Sequence, residues 1–404
     1  MSFGLWSSFM GIPLKNPFLL ASAPPAASAE AIGRSAALGW AGAVTKTLTR
    51  EPQYTRNLTP SLLPARNLGW QRIGMLNNEL RTPMTLAEWC ATEIPAARQL
   101  AGADFCLGVS IMEGPSLRDW EISARQCSEA GASYLELNVS CPHGAPEKFR
   151  GTFIGDDPGL LGEVVKAACS GSAVPVAVKM NASSHCLVEA ATAAIANGAG
   201  GLVCTNTTPG LPPFDHLLGQ AEGVPLTPMG LSGSSLLPMN RLAVAQLSRE
   251  VGADVMAVGG VSGAADVIDY SMLGARAVQV ATAVMSRGLK LRASLEHNVT
   301  SRLAAAGGAS FDSIIGSGLR WVTDADQCPD EWFTRTAEVD MMRCTLCRAC
   351  VPVCAESAAS CISVADDLLK IDEDRCTGCG LCLMTCPVDA LHLGNPSDKK
   401  GLDV

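Results

Sequence analysis

The sequence predicts an α/β protein in two parts: a parallel (β/α)8 barrel of the TIM type and a small cysteine-rich domain after it. Three observations carry this reading. Through the first 300 residues, short apolar runs alternate with Ala-rich, helix-prone stretches. Eight such runs can be counted, the number a closed barrel needs. Nine of the 17 cysteines lie in residues 344–404, where an even spread would place about three. An open doubly wound sheet shares the first two features, and strand counting alone leaves it standing.

Taken in order, the expected strands cover 17–23, 43–47, 107–111, 134–139, 174–180, 201–206, 254–259 and 277–282. Most are nearly continuous apolar runs, as strands buried on both faces are. Helices between them are expected at 117–130, 158–170, 187–197, 239–250 and 263–272. Two connections are too long for a βα turn. Residues 48–106 should hold an insertion with small strands of its own, and 207–238 form a second long loop rich in Pro, Gly and Leu. Long ordered loops in a compact domain usually carry function. We assign 1–310 to the barrel, 311–338 to a linker and 339–404 to the C-terminal domain, which ends in the polar tail GNPSDKKGLDV.

Composition narrows the function. The chain has 404 residues, 48% hydrophobic and 17% charged, and so is not disordered as a whole. A net charge of −9 disfavours a nucleic-acid partner. No uninterrupted run of about 20 apolar residues is present to cross a membrane. The apolar start MSFGLWSSFMGIPLKNPFLLASAPPAA lacks a basic leader and is interrupted by Lys15, so it reads as folded structure. The remaining eight cysteines are scattered singly, and the expected compartment is a reducing cytoplasm.

The clustered cysteines follow a rule. Residues 344–354 read CTLCRACVPVC, and 376–387 read CTGCGLCLMTCP. This doubled Cys-x2-Cys-x2-Cys-x3-Cys is the spacing of a bacterial ferredoxin-like domain with two [4Fe–4S] clusters. Three thiolates two residues apart wrap one corner of a cubane, and the fourth ligand comes from the other repeat. Cys344, Cys347, Cys350 and Cys386 are therefore expected to hold one cluster, and Cys376, Cys379, Cys382 and Cys354 the other. Two structural zinc sites would use Cys-x2-Cys pairs but do not explain eight cysteines in this array. Cys361 falls outside the pattern and reads as a small buried apolar residue. Such clusters pass single electrons, so the domain needs a source and an acceptor.

In a (β/α)8 barrel, chemistry sits at the C-terminal ends of the strands. Polar residues recur there: Ser22 in the first strand, Lys46 in the second, and Asn138, Ser140 and Cys141 around the end of the fourth. Lys179 and Asn181 follow in the fifth, Asn206 and Thr207 in the sixth, Gly259-Gly260 in the seventh and Thr282 in the eighth. Two lysines ending apolar strands are costly to bury unpaired, and an anionic cofactor would supply a partner. Gly259-Gly260 and the Ala281-Thr282 turn let a phosphate approach backbone N–H groups. With an electron-carrying domain attached, this points to FMN, which exchanges single electrons with a cluster and a hydride with a substrate. No well-placed Gly-x-Gly-x-x-Gly follows a first strand, so no dinucleotide domain is expected.

These residues fall within longer motifs: LNVSCPHG (137–144), LASA (20–23), TKT (45–47), LNNEL (76–80), the Lys179 strand, TNT (205–207), GLSG (230–233) and VGG (258–260). Together they resemble the dihydropyrimidine dehydrogenase family, specifically its FMN barrel with the C-terminal ferredoxin domain, and the resemblance covers nearly the whole chain. The barrel also resembles dihydroorotate dehydrogenases, whose soluble class lacks the fused ferredoxin. The resemblance implies that Ser22, Lys46, Asn138, Lys179, Gly233, Gly259, Gly260 and Thr282 contact FMN. It implies that Asn77, Glu79, Asn138, Asn206 and Thr207 hold a pyrimidine. It makes Cys141 the general acid/base, on a loop that closes over the substrate, with His143 tuning that thiol or bracing the loop. The loop continues APEKFRGTFIGDDPG, less glycine-rich than is usual, which leaves a related cyclic amide open as the substrate.

The residue types suit that chemistry. Reducing a C5=C6 bond conjugated to a carbonyl adds a hydride at C6 and a proton at C5, the second from a positioned acid. A thiol of ordinary pKa, about 8.5, serves at neutral pH. Asparagine matches the alternating N–H and C=O edge of uracil. Glu79, two residues after Asn77, is expected on the same side of a local strand, accepting from a ring N–H and repelling a ring that bears a carboxylate. The expected function is reduction of uracil or thymine to the dihydropyrimidine, or the reverse. Electrons would come through the clusters from an NAD(P)H-oxidising flavoprotein subunit, in a homodimer or heterotetramer. Dihydroorotate oxidation is the alternative. A non-catalytic electron-transfer subunit is the alternative of another class.

Overall fold

Strands with no polar face must be covered on both sides, and the first part of the chain achieves this by closing on itself. The computed structural model describes residues 4–50, 61–66, 72–79, 82–140, 154–212, 228–308, 310–332 and 335–394. It divides into two units, Met1–Val322 and Thr323–Val404. In the first, β1 (Phe18–Leu20), β2 (Gly42–Val44), β3 (Cys106–Ile111) and β4 (Tyr134–Asn138) are followed by β5 (Val176–Met180), β6 (Gly201–Cys204), β7 (Asp254–Val258) and β8 (Ala275–Val280). Each pairs in parallel with its neighbours in the chain, and β8 returns to β1 with Val278 opposite Phe18. The closed ring excludes the open doubly wound sheet.

Among the described residues, eight main helices follow the strands in turn: α1 (Ala29–Ala37), α2 (Ile94–Ala101), α3 (Leu117–Glu129), α4 (Pro158–Gly171), α5 (Leu187–Ala196), α6 (Leu237–Gln246), α7 (Ala264–Met272) and α8 (Leu291–Ala305). Their starts are set locally. Ser28 Oγ accepts from the Ala31 N–H ahead of α1, and Asp157 accepts from the Leu160 N–H ahead of α4, where Pro158 suits the first helical position.

The strand residues alternate between two cores. Outward-facing Val109, Leu135 and Val178 pack beneath the helices with Ile32, Trp120 and Val164. Inward-facing Leu19, Val44, Cys106, Tyr134, Val203 and Met256 fill the barrel. A hairpin of Ser7–Phe9 and Ile12–Leu14 plugs the N-terminal end, and its Phe9 ring meets Tyr134 edge-on with centroids 5.9 Å apart. Gly108 leaves the room Tyr134 needs, since a Cβ there would lie 2.6 Å from the tyrosine Cζ. The same alternation puts Tyr134, Glu136 and Asn138 on one inner face of β4.

The two long connections meet. Leu62–Arg66 and Arg72–Asn77 from the first pair with Met229–Ser232 and Thr208–Gly210 from the second in a single four-stranded sheet. Asn77 stands opposite Gly230 across the join. Ala65, Leu76 and Met229 form the small apolar core of this cap. Beyond α8, Phe311 is buried in the outer core of the barrel unit.

In the second unit, Ala337–Val339 pairs antiparallel with Leu391–Leu393, and Ile362–Ala365 pairs antiparallel with Leu368–Ile371. Two short helices, Cys350–Ser357 and Leu381–Thr385, lie within the cysteine repeats. The buried core consists of Ala337, Ile362, Leu369, Leu391 and four cysteines. So small a core is the kind that relies on bound metal. Among the described residues, no helix is long and apolar enough to cross a membrane.

Candidate active site

The strand tips and the cap sheet enclose a cavity of about 910 Å³. Ser22, Lys46, Asn138, Lys179, Asn206 and Thr207 line it from β1, β2, β4, β5 and β6 and the turns that follow. Asn77 and Glu79 enter from the cap side, and Gly233, Gly259, Gly260 and Thr282 complete the wall. Cys141 and His143 lie outside the described residues.

The sequence asks for an anionic cofactor to pair the two lysines, but the chain itself supplies both partners. Lys179 is 5% exposed, and its Nζ donates to Oε1 of the fully buried Glu136 at 3.1 Å. Glu136 Oε2 accepts from Gln279 Nε2 at 2.7 Å, and Gln279 Oε1 is buried without a partner among the described residues. Lys46 Nζ donates to Glu79 Oε2 at 2.8 Å, and Ser61 Oγ donates to Oε1 at 2.5 Å. Burial pushes the Glu79 carboxyl up, but these two hydrogen bonds and the Lys46 charge outweigh it and hold the group below the ordinary carboxyl range. Glu79 is thus an ionised wall residue whose charge Lys46 offsets. The repulsion expected against a ring carboxylate is weakened accordingly. Glu136 and Gln279 were hidden because each is flanked on both sides by apolar residues of its strand. The two-residue period of β4 is the signal that places Glu136 inside.

A network of polar side chains joins the strand tips. Ser22 Oγ lies 3.4 Å from Thr47 Oγ1, which accepts from Asn138 Nδ2 at 3.0 Å. Asn206 Nδ2 donates to Asn138 Oδ1 at 2.9 Å and to Ser140 Oγ at 3.1 Å. The Thr207 N–H donates to Asn206 Oδ1 at 2.9 Å, so both carboxamides are fixed in orientation. Asn77 Nδ2 donates to the Gly230 carbonyl at 2.8 Å, and Thr282 Oγ1 donates to Ser232 Oγ at 2.9 Å. Thr47 and Ser232 are members of this set that sequence reasoning missed. Gly259 and Gly260 have φ of +111° and +81°, and a Cβ on Gly260 would lie 2.6 Å from Leu237 Cγ.

In the second unit the eight repeat cysteines surround two pockets. Cys344, Cys347, Cys350 and Cys386 line one, and Cys354, Cys376, Cys379 and Cys382 the other, which Cys361 also lines. Backbone N–H groups point at the sulfurs, from Ala337 to Cys376 Sγ at 3.3 Å and from Ala390 to Cys386 Sγ at 3.2 Å. The N–H groups of Ala390 and Val388 hold the Cys386 thiol below its ordinary value, which favours the thiolate a metal needs.

Residues 4–303 match the family described as dihydroorotate dehydrogenase. The chain belongs to the dihydroorotate dehydrogenase family. Residues 337–393 match a 4Fe–4S dicluster domain. This family member is 27% identical to the NAD-dependent dihydropyrimidine dehydrogenase subunit PreA of Escherichia coli (strain K12), over 98% of this chain and 96% of that one. It is 28% identical to the dihydroorotate dehydrogenase B (NAD(+)) catalytic subunit of Methanothermobacter thermautotrophicus, over 78% of this chain and 99% of that one. A ligand-free DHODH from Eimeria tenella shares the fold at 20% identity, with a TM-score of 0.64 over 80% of this chain and 92% of that one. The chain is an oxidoreductase acting on CH–CH bonds, which sets aside the reading as a non-catalytic electron-transfer subunit.

The dihydroorotate dehydrogenase family binds FMN, and the dicluster domain carries the [4Fe–4S] clusters. The barrel residues fit a flavin. The cavity floor has a buried ammonium and the orphaned Gln279 Oε1, and Gly259-Gly260 leaves the backbone approachable. Two rings of four cysteines, with N–H groups aimed at their sulfurs, fit two cubanes.

The buried pair generates a prediction. Glu136→Leu leaves the Lys179 ammonium unanswered and should lower unfolding stability by about 3–5 kcal/mol. Glu136→Leu with Lys179→Met removes both charges and should recover much of that loss. Urea unfolding of the holoprotein measures both, and equal losses in the single and double variants would contradict the pairing.

Proposed function

We propose that this family member reduces the 5,6 double bond of uracil or thymine, or catalyses the reverse. Its electrons pass through the two clusters to or from a separate NAD(P)H-oxidising flavoprotein subunit, in a homodimer or heterotetramer. The observation that carries this reading is the match to the E. coli dihydropyrimidine dehydrogenase subunit across 98% of the chain, which runs through both the barrel and the dicluster domain of this chain. The archaeal dihydroorotate dehydrogenase subunit is matched over 99% of its own length and leaves the rest of this chain without a counterpart.

FMN, when bound, supplies two-electron exchange with the ring and one-electron exchange with a cluster. The chain's residues do the remainder. Lys179, braced by Glu136, keeps a positive charge at the cavity floor, where developing negative charge is stabilised. Asn138 and Asn206, locked to each other, have one Asn138 Nδ2 hydrogen and a second lone pair on each Oδ1 left to meet the pyrimidine edge, with Thr207 beside them. Asn77 and Glu79 bind the ring from the cap, and Glu79 accepts from a ring N–H in a charge-assisted contact worth roughly 1.5–3 kcal/mol. Cys141 Sγ gives the proton to C5 on reduction and takes it on oxidation. The cap sheet shields these contacts from water.

One observation favours a second reading. With Glu79 neutralised by Lys46, the wall is less hostile to a ring carboxylate, and dihydroorotate becomes the competing substrate. The two are separated by anaerobic turnover of the pure holoprotein with a redox dye. We expect conversion of uracil or thymine, no useful conversion of dihydroorotate, and very slow oxidation of NADH or NADPH by the chain alone. Efficient dihydroorotate oxidation would promote the second reading.

Cys141→Ala should keep its flavin bound and reducible while pyrimidine turnover falls about 10²–10⁴-fold, the share of a general acid. Turnover at the wild-type rate would move the proton to another donor, with His143 the next candidate.

A further inference from the structure

Cys361 belongs to neither cysteine repeat. It is buried, yet it lines the same pocket as Cys354, Cys376, Cys379 and Cys382. Its Sγ lies 3.5 Å from Cys354 Sγ, and its backbone N–H donates to that sulfur at 3.4 Å. The position is held from both sides. Ile362, the next residue, opens the strand paired with Leu368–Ile371, and the Asp372 N–H donates to the Cys361 carbonyl at 2.8 Å. A residue that only packs the core needs a small apolar side chain facing other apolar groups. Cys361 instead brings a fifth sulfur into a pocket that needs four.

We propose that Cys361 is a fifth thiol of the second cluster's site. In the native protein it donates its S–H to Cys354 Sγ, and where Cys354 is missing it replaces that residue as the iron ligand. The inference rests on the assignment of this cluster to these cysteines. With Cys354 bound to iron, its sulfur carries negative charge and accepts, so the neutral Cys361 thiol is the donor. A hydrogen bond to a ligand sulfur stabilises the reduced, more negative cluster and raises its potential. In the replacement, an iron–sulfur bond to Cys361 forms in place of the one to Cys354. The Cys361 thiol proton passes to solvent, no electron is exchanged, and the ligand charge is unchanged.

The test uses the full chain, prepared anaerobically, with iron analysis and potentiometric EPR. Wild-type protein should hold about eight iron atoms, and wild-type protein without clusters would overturn the cluster assignment itself. Cys361→Ala should keep its iron while the potential of one cluster falls and that of the other stays in place. Cys361→Ser, which retains a donor, should lie closer to wild type. Cys354→Ala should still hold about eight iron atoms, and Cys354→Ala with Cys361→Ala about four. The inference is overturned by unchanged potentials in Cys361→Ala, or by a Cys354→Ala protein with about four iron atoms.

Discussion

A charge inside a barrel has to be answered inside the barrel, and Glu136 answers Lys179. Taking either ion out of water alone costs several kcal/mol, so each residue requires the other. The pair also divides the barrel interior into layers along β4. Tyr134 seals the lower layer against Phe9, Glu136 and Gln279 hold the charged middle layer, and Asn138 faces the cavity. The floor of the cavity therefore rests on a fixed ion pair, while the apolar plug beneath it excludes solvent.

The roof depends on a different constraint. Among the described residues each long connection supplies two strands of the cap sheet, and a two-stranded hairpin alone is marginal in water. Joined, they form four strands with a small core and present Asn77 and Glu79 to the cavity. The Lys46–Glu79 pair ties this roof to the tip of β2. The two lysines thus differ in kind: one is locked to the floor, the other bridges barrel and cap.

Much of this was legible in the residues. All eight barrel strands fall where apolar runs were read, and α3 and α4 agree with their expected spans to a residue. The polar strand ends converge because a parallel barrel brings the C-terminal ends of its strands together. The spacing of the repeats assigned Cys386 and Cys354 across to the opposite groups, and each lines the corresponding pocket. What escaped was long-range. Glu79 meets Lys46 across 33 residues, and Gln279 meets Glu136 across 143. The cap sheet joins insertions separated by more than a hundred residues, and no local pattern in either announces the other. Cys361 is buried in the small core, as its isolation from the repeats implies, but its contact with Cys354 Sγ is set by a neighbour in space that the spacing does not announce.

On the proposed function, electrons held by the clusters are available to the barrel site for reduction of a pyrimidine. Dithionite-reduced holoprotein, freed of excess reductant, would be mixed anaerobically with uracil, and dihydrouracil and the cluster EPR signals followed together. About two dihydrouracils per chain are expected, one from the flavin's electron pair and one from the two clusters, with the cluster signals lost in step. About one dihydrouracil per chain with the clusters still reduced would contradict that electron supply.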